Sequence, residues 1–252
     1  MRERSLRKCS LTKGEPKNIL FVATRNRGKL REIKALLRGE GYLLHSLIDY
    51  PHVPTIDETG NTLEENARKK ALAVAKLMGY ITLADDSSLE IEALSGEPGI
   101  TSARFLGARA TDRDRNLKVL QLVKGLAEEE RKARFRCVIV IAKPDGSYES
   151  AEGQCRGFIA DRPRGRRGFG YDPIFYVSRY KKTMAELEPG LKNRISHRAL
   201  AMKKAKKILR RMRQRDCWSV SENEGLGGAS IRRTAVQIRE DWPRGQASSE
   251  TK

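Results

Sequence analysis

The sequence predicts an α/β fold built on a mixed β-sheet flanked by helices. Three observations carry that prediction. An apolar, β-prone run from Asn18 to Thr24 gives way through a polar turn to a helical pattern starting at Gly28, which is how an α/β unit opens. A second apolar run, Tyr80 to Ala84, follows directly on an alanine-rich helical stretch. Finally, Asp145-Gly146 lies between two segments of strand character, Arg134 to Ala142 and Ser147 to Phe158, a hairpin signal that makes this pair antiparallel.

The elements follow in order. Gly28 to Arg38 places Leu30, Ile33, Leu36 and Leu37 on one helical face. Thr62-Leu63-Glu64-Glu65 fits a capping box, so a second helix starts there, runs to about Met78 and ends at Gly79. The strand Tyr80 to Ala84 comes next. A third helix follows Asp112, with Leu117, Leu120, Val123 and Leu126 at helical spacing. After the hairpin, Arg198 to Arg213 is the last helix, apolar at Leu200, Ala201 and Ile208. The expected organisation is a basic extension over 1–17, one domain over 18–214, and a flexible tail over 215–252.

Composition narrows the function classes. The 252 residues are 38% hydrophobic, enough for a packed core and against extensive disorder. No stretch approaches the roughly 20 apolar residues of a membrane helix, and the leader, basic at Arg2, Arg4, Arg7, Lys8, Lys13 and Lys17, lacks the apolar centre of a signal peptide. A cytoplasmic protein with no membrane partner is expected. Cys9, Cys137, Cys155 and Cys217 form no C-x-x-C pair, and the three histidines show no ligand spacing, so neither a zinc site nor a disulfide framework is expected.

The net charge of +19 suits a polyphosphate substrate or nucleic acid. It collects in the leader, in Arg162 to Arg167 and along Lys203 to Arg213. Aromatic residues do not interleave with these tracts, so nucleic acid is not expected as the primary partner.

Four clusters can do chemistry. Thr24-Arg25-Asn26-Arg27-Gly28-Lys29 stands at a helix N-terminus, where free amides and the helix dipole favour phosphate; its glycine spacing is not that of a Walker loop. Asp85-Asp86-Ser87-Ser88 follows the strand ending at Ala84. Adjacent carboxylates in extended chain point to opposite faces, so one can hold Mg²⁺ or a water while the other does a different job. In Gly168-Phe169-Gly170-Tyr171-Asp172-Pro173, the glycines permit close approach and the rings can stack on a flat base. Lys192, Ser196, His197 and Arg198 make a donor-rich patch for phosphate or a purine carbonyl. Each cluster alone also fits ordinary turns, caps or core aromatics.

In register, these clusters resemble the inosine triphosphate pyrophosphatase family, the XTP/dITP diphosphatases. The resemblance runs from about Lys17 to Arg213. Its most specific segments are Glu58 to Ala71, Ala84 to Ser87, Pro98 to Arg104, Gly168 to Phe175 and Ser196 to Arg198. It implies a long, bent mixed sheet with two lobes and a central cleft, a homodimer, and Mg²⁺-dependent hydrolysis of ITP, dITP or XTP to the monophosphate and pyrophosphate, which clears deaminated purines from the nucleotide pool.

The resemblance also implies roles. Thr24 to Lys29 would bind the triphosphate, chiefly through Asn26 and Lys29, with Lys70 reaching it from the second helix. Glu58 and Asp86 would serve the metal, Asp86 would also be the general base, and Ser87 would touch substrate. Phe169, Gly170, Tyr171 and Asp172, with Lys192, His197 and Arg198, would enclose the purine and read its 6-keto oxygen. The residues alone leave Asp85 and Asp86 both open as the base.

The sequence departs from the family pattern at Arg25 and Ser88, where glycine is common, and at Thr101, where tyrosine is usual. Arg25 must turn away from the phosphates or add to their binding. Two other readings stand beside this one: a septum-associated pyrophosphatase of related architecture, and a basic nucleic-acid-binding protein on a degenerate enzyme scaffold. The residues around Asp172 and His197 speak against the first, and intact Lys29, Glu58, Asp86 and Lys192 against the second.

Overall fold

The computed structural model of the protein describes residues 18–107 and 109–222, with side chains as far as residue 213. The basic extension 1–17 and residues 223–252 of the expected tail lie outside the described residues. A first compact unit ends at Arg211 and a second begins at Met212; of the second, the helical backbone to Glu222 is described.

The order of elements is β1 (Asn18–Val22), α1 (Arg27–Leu36), β2 (Tyr42–Ser46), α2 (Leu63–Met78), β3 (Thr82–Ile91), β4 (Pro98–Gly99), α3 (Asp112–Leu122), β5 (Lys132–Ala142), β6 (Tyr148–Ile159), β7 (Phe175–Val177), β8 (Lys182–Thr183), α4 (Pro189–Ile195) and α5 (His197–Glu222). All eight described strands join one sheet in the order β2-β1-β3-β5-β6-β7-β8, with β4 added to β3. β1 pairs in parallel with β2 and β3, and the remaining pairings are antiparallel. The sheet is mixed, as the hairpin signal required; Lys143 and Ser147 close that hairpin around Asp145-Gly146.

One expectation fails in an instructive way. The strand predicted to end at Ala84 continues to Ile91, so Asp85 to Ser88 lie in mid-strand rather than beyond a strand end. The reason is β5, which pairs with β3 at every position from Thr82↔Ala142 to Ile91↔Ala133. Backbone pairing carries the strand through four polar residues whose side chains find partners elsewhere. β1, by contrast, stops pairing with β3 at Val22↔Leu83. The acidic pair therefore lies just past the carboxyl end of β1, the place where open α/β sheets bind ligands, with β3 running on as the floor.

The period of two on β3 and β5 divides the apolar packing. Even-numbered Ala84, Val138, Val140 and Ala142 join Ala67, Ala71, Val74 and Ala75 of α2 in one core. Odd-numbered Leu89, Ile91, Ala133 and Phe135 join Val119, Ile174 and Phe175 in a second. The two cores occupy opposite faces and opposite ends of the same strand pair, which gives the two expected lobes their shared backbone.

Local corrections are smaller. Thr62 Oγ1 accepts from the Glu65 amide at 3.1 Å, but the Glu65 carboxylate takes the Asn61 amide instead of closing the box on Thr62. Leu117 is 49% exposed, against the expected apolar face of α3. The rotation of α3 is set by Asn116, buried and donating to the Gly170 carbonyl at 3.0 Å, with Val119 beneath it. β2, β4, β7, β8 and α4 have no counterpart in the sequence reading, being five residues or fewer apart from the seven-residue α4. α5 continues beyond Arg213, where its apolar pattern ends.

Candidate active site

The turn after β1 delivers the first site residues. Asn26 caps α1 by accepting from the Lys29 amide at 3.0 Å, and Thr24 Oγ1 accepts from the Asn26 amide at 3.2 Å. Lys29 then reaches Asp85, its Nζ 3.3 Å from Oδ2. Gly28 lies under the ring of Phe169, where an added Cβ would stand 2.6 Å from Cδ1. Arg25 takes the first of its two alternatives: its guanidinium donates to the carbonyls of Leu47 and Val53, away from the cleft. Arg27 is exposed and lines a different surface groove with Arg31 and Lys34. Neither faces the pocket described below.

Asp85 and Asp86 point to opposite faces, as extended chain demands. On one face the Asp85 Oδ2 accepts from Arg198 Nε at 3.1 Å and Nη2 at 3.0 Å. Arg198 Nη1 donates to Glu32 Oε2 at 2.5 Å, and Nη2 also reaches Ser87 Oγ at 3.2 Å. Lys192 Nζ bridges Glu32 Oε1, 2.7 Å away, and Asp172 Oδ2. On the other face Lys70 Nζ donates to Glu58 Oε1 at 2.7 Å and to the Asp85 carbonyl at 2.9 Å, and stands 3.7 Å from Asp86 Oδ1.

These contacts form one row of charged groups, alternating in sign except where Lys29 and Lys70 meet at the Asp85 carbonyl. It runs Asp172, Lys192, Glu32, Arg198, Asp85, Lys29, crosses at the Asp85 carbonyl to Lys70, and ends in Glu58 and Arg104. Most members are buried, and unpaired charge there would be prohibitive.

The electrostatics separate the two aspartates. Burial pushes Asp85 up, but Lys29 and Arg198 outweigh it and hold its carboxyl well below the usual range. Burial also pushes Asp86 up, and there Lys70 and Lys29 do not compensate, so its carboxyl stays raised. Its Oδ2 is buried without a hydrogen-bond partner. A basic carboxylate with a free oxygen is what a general base needs; Asp85 also keeps one oxygen, Oδ1, without a partner, but the cations on its Oδ2 make it too weak a base. Glu58 is desolvated too, yet Lys70 holds it low.

At the other end lies a cavity of about 140 Å³, with Phe169, Tyr171, Phe135 and His197 in its lining beside Asp172, Lys192 and Arg198. Phe169 is half-buried, with the Lys192 and Arg198 cations 5.2 and 5.4 Å from its ring centroid. Tyr171 is more deeply committed, its hydroxyl donating to the Ser102 carbonyl at 3.0 Å. Asp172 Oδ2 accepts the Phe169 amide at 2.8 Å, and the left-handed Gly168 is needed because a side chain there would strike that carboxylate. Burial pushes Asp172 up despite Lys192. His197 stacks on Phe135 at 4.6 Å, and burial among cations keeps its imidazole neutral, far below its ordinary pKa.

Gly153 of β6 sets the position of α5. A side chain there would collide with the His197 carbonyl and the Ala201 amide, so only glycine lets the first turn of α5 lie directly on the sheet and bring Arg198 to Asp85.

Carboxylates that could hold a divalent cation are Asp86 and Glu58. Among the described residues no group of three or more His, Cys, Asp or Glu forms a complete protein cage. The orphaned Asp86 oxygen nevertheless fits a hard cation, because Mg²⁺ is usually held by one or two carboxylates with substrate phosphates completing its shell.

The sequence reading missed Glu32, which clamps both Lys192 and Arg198. Its signal was a charged residue one helical turn after Lys29, beside Ile33. It also missed Asp112, whose Oδ2 accepts the Gly170 amide at 2.7 Å and fixes the aromatic loop.

The fold and this row of residues place the chain in a known group of proteins. It belongs to the Ham1 family, whose model matches residues 20–208. It is 50% identical over 193 residues to the dITP/XTP pyrophosphatase of Desulforamulus reducens, covering 77% of this chain and 96% of that one. Among solved structures it is similar to a HAM1 protein from Coxiella burnetii, with a TM-score of 0.69, 41% identity and coverage of 77% and 98% of the two chains. The Staphylococcus aureus Ham1 protein gives a TM-score of 0.68 at 38% identity, covering 76% and 98%. The family resemblance and the α/β fold read from the sequence both hold.

Proposed function

We propose that this Ham1-family chain is a nucleoside triphosphate pyrophosphatase that hydrolyses dITP, XTP and ITP to the monophosphate and pyrophosphate. The carrying observation is the single charged row that joins an aromatic pocket to a lysine–carboxylate cluster, with the unpartnered Asp86 oxygen at the latter. Relatives named dITP/XTP pyrophosphatase support the substrate class.

The purine lies against Phe169. Arg198 commits donors to Asp85, Glu32 and Ser87 and Lys192 to Glu32 and Asp172, so reading of the 6-keto oxygen falls to the donor that each has left and to His197. Adenine presents a donor at that position and would leave these buried donors unmatched, a costly arrangement. Asn26, Lys29 and Lys70 bind the triphosphate, with Thr24 supporting the turn.

Asp86 takes a proton from water as its oxygen attacks the α-phosphorus; the bridging P–O bond to the β-phosphate breaks and pyrophosphate leaves. Glu58 and Asp86 would hold Mg²⁺, which supplies charge neutralisation at the phosphate oxygens. Lys29 and Lys70 offset the remaining negative charge as it develops. The reading carries with it a homodimer working in the cytoplasm, where it would cleanse the nucleotide pool.

The test is pyrophosphate release from dITP, XTP, dATP and dGTP, with Mg²⁺ and again with EDTA. Metal-dependent turnover of dITP and XTP over dATP is expected. Turnover of none would sink the reading, and a salt-sensitive gel shift would then favour the nucleic-acid binder.

A further inference from the structure

The charged row has an order, and its last member has no role in the reading above. Arg104 belongs to the loop between β4 and α3, and its guanidinium crosses to the segment before α2. Nη2 donates to the Glu58 carbonyl at 2.7 Å, and Nη1 stands 3.9 Å from Glu58 Oε2. Among the described residues the guanidinium has no other partner, and the side chain is 46% exposed. Lys192, Arg198 and Lys70 each lie between two carboxylates and Lys29 lies against Asp85; Arg104 ends the row on its exposed side, with most of its five donors uncommitted.

A nucleotide whose base lies at Phe169 and whose scissile bond lies near Asp86 must send its remaining phosphates onward, past Lys70 and Glu58. We propose that Arg104 is a phosphate-binding residue for the distal, pyrophosphate half of the substrate, exchanging the Glu58 carbonyl for phosphate oxygens when nucleotide enters. The proposal rests on the pyrophosphatase reading. Its physical warrant is threefold. A half-exposed ion pair at 3.9 Å is weak and easily given up. A guanidinium fork matches phosphate oxygens in bidentate geometry. And Arg104 is tied to the backbone of Glu58, a residue that would hold Mg²⁺, so phosphates that displace it arrive beside that carboxylate. Arg104 thereby ties together the loops that flank the cleft mouth until substrate replaces it.

The experiment is calorimetric titration of the full-length protein with inorganic pyrophosphate and, separately, with inosine monophosphate, both in Mg²⁺. Wild type, Arg104→Ala, Arg104→Lys and Lys70→Ala are compared, with melting curves for each. Loss of a charge-assisted contact predicts that Arg104→Ala weakens pyrophosphate about tenfold and leaves inosine monophosphate within about twofold, with Arg104→Lys in between. Equal pyrophosphate affinity in Arg104→Ala and wild type, while Lys70→Ala weakens it, overturns the role of Arg104 and leaves the enzyme reading standing. Equal weakening of both ligands by Arg104→Ala marks a structural role and also overturns the proposal. No pyrophosphate binding by wild type overturns this proposal and the function together.

Discussion

Glu32 and Arg198 are separated by 166 residues in the chain and meet at 2.5 Å, both nearly shielded from water. Glu32 also holds Lys192, so one carboxylate from α1 neutralises two cations from α4 and α5. Deleting one member of such a set leaves the others buried and uncompensated. Glu32→Gln should destabilise by roughly 3 kcal/mol, read as a lowered urea midpoint at unchanged m-value. A midpoint within error of wild type would show that the cations find other compensation.

Asp86→Asn should behave in the opposite way. The variant removes the proposed base, so turnover of dITP should fall by about 10²–10⁴-fold. Stability should be kept, since the lost oxygen has no hydrogen bond. In wild type the base works ionised, and burial raises its pKa above the ordinary 3.8. Activity should therefore decline, as pH falls, at a pH higher than an exposed aspartate would give. Full activity in Asp86→Asn would move the role to another group.

His197 links pH to stability. Its folded pKa lies well below 6.5 because burial and nearby cations disfavour the imidazolium. Below about pH 6.5 the unfolded chain binds a proton that the native state refuses, so this residue's contribution falls as pH drops, by at most about 1.4 kcal/mol per unit. His197→Phe keeps a ring against Phe135 and should flatten that slope in denaturation curves from pH 7 to 5. An unchanged slope would assign the effect elsewhere.

Gly153→Ala tests how α5 is seated. The added methyl has no space against the His197 carbonyl and the Ala201 amide, and forcing it in should cost about 1–3 kcal/mol. Because the first turn of α5 carries His197 and Arg198, KM for dITP should rise more than the melting temperature alone would suggest. A variant with wild-type KM would mean that the helix shifts without moving those two side chains.

The parts legible in the sequence were those with a local cause. The β5–β6 hairpin announced itself through Asp145-Gly146, α2 through Thr62 and Gly79, and the acidic pair through its run of carboxylates. What escaped notice depended on partners distant in the chain. Asp85 to Ser88 looked like a strand end because their polarity is local, whereas the eleven residues of β5 that keep them in the sheet lie some fifty positions away. Glu32 looked like a surface charge on α1 because Lys192 and Arg198 are needed to show why it is buried. Leu117 looked like core, but the orientation of α3 is decided by Asn116 and its bond to Gly170. Arg25 could be read either way until the carbonyls of Leu47 and Val53 settled its direction.

The passage of β3 through the site has a consequence for how the protein comes apart. The amides of Asp85 to Ser88 belong to a strand hydrogen-bonded along its whole length to β5, and β5 in turn to β6. Segments of this kind exchange their amide hydrogens only through the largest openings a protein makes, while loops and termini open at little cost. The proposed base is thus rooted in a segment expected to exchange slowly, as is Lys70 in the core-packed α2, whereas Thr24 to Asn26 and Arg104 lie in loops expected to open at lower cost. Partial unfolding would loosen the turn after β1 and the Arg104 loop before it disturbed Asp86, the proposed base.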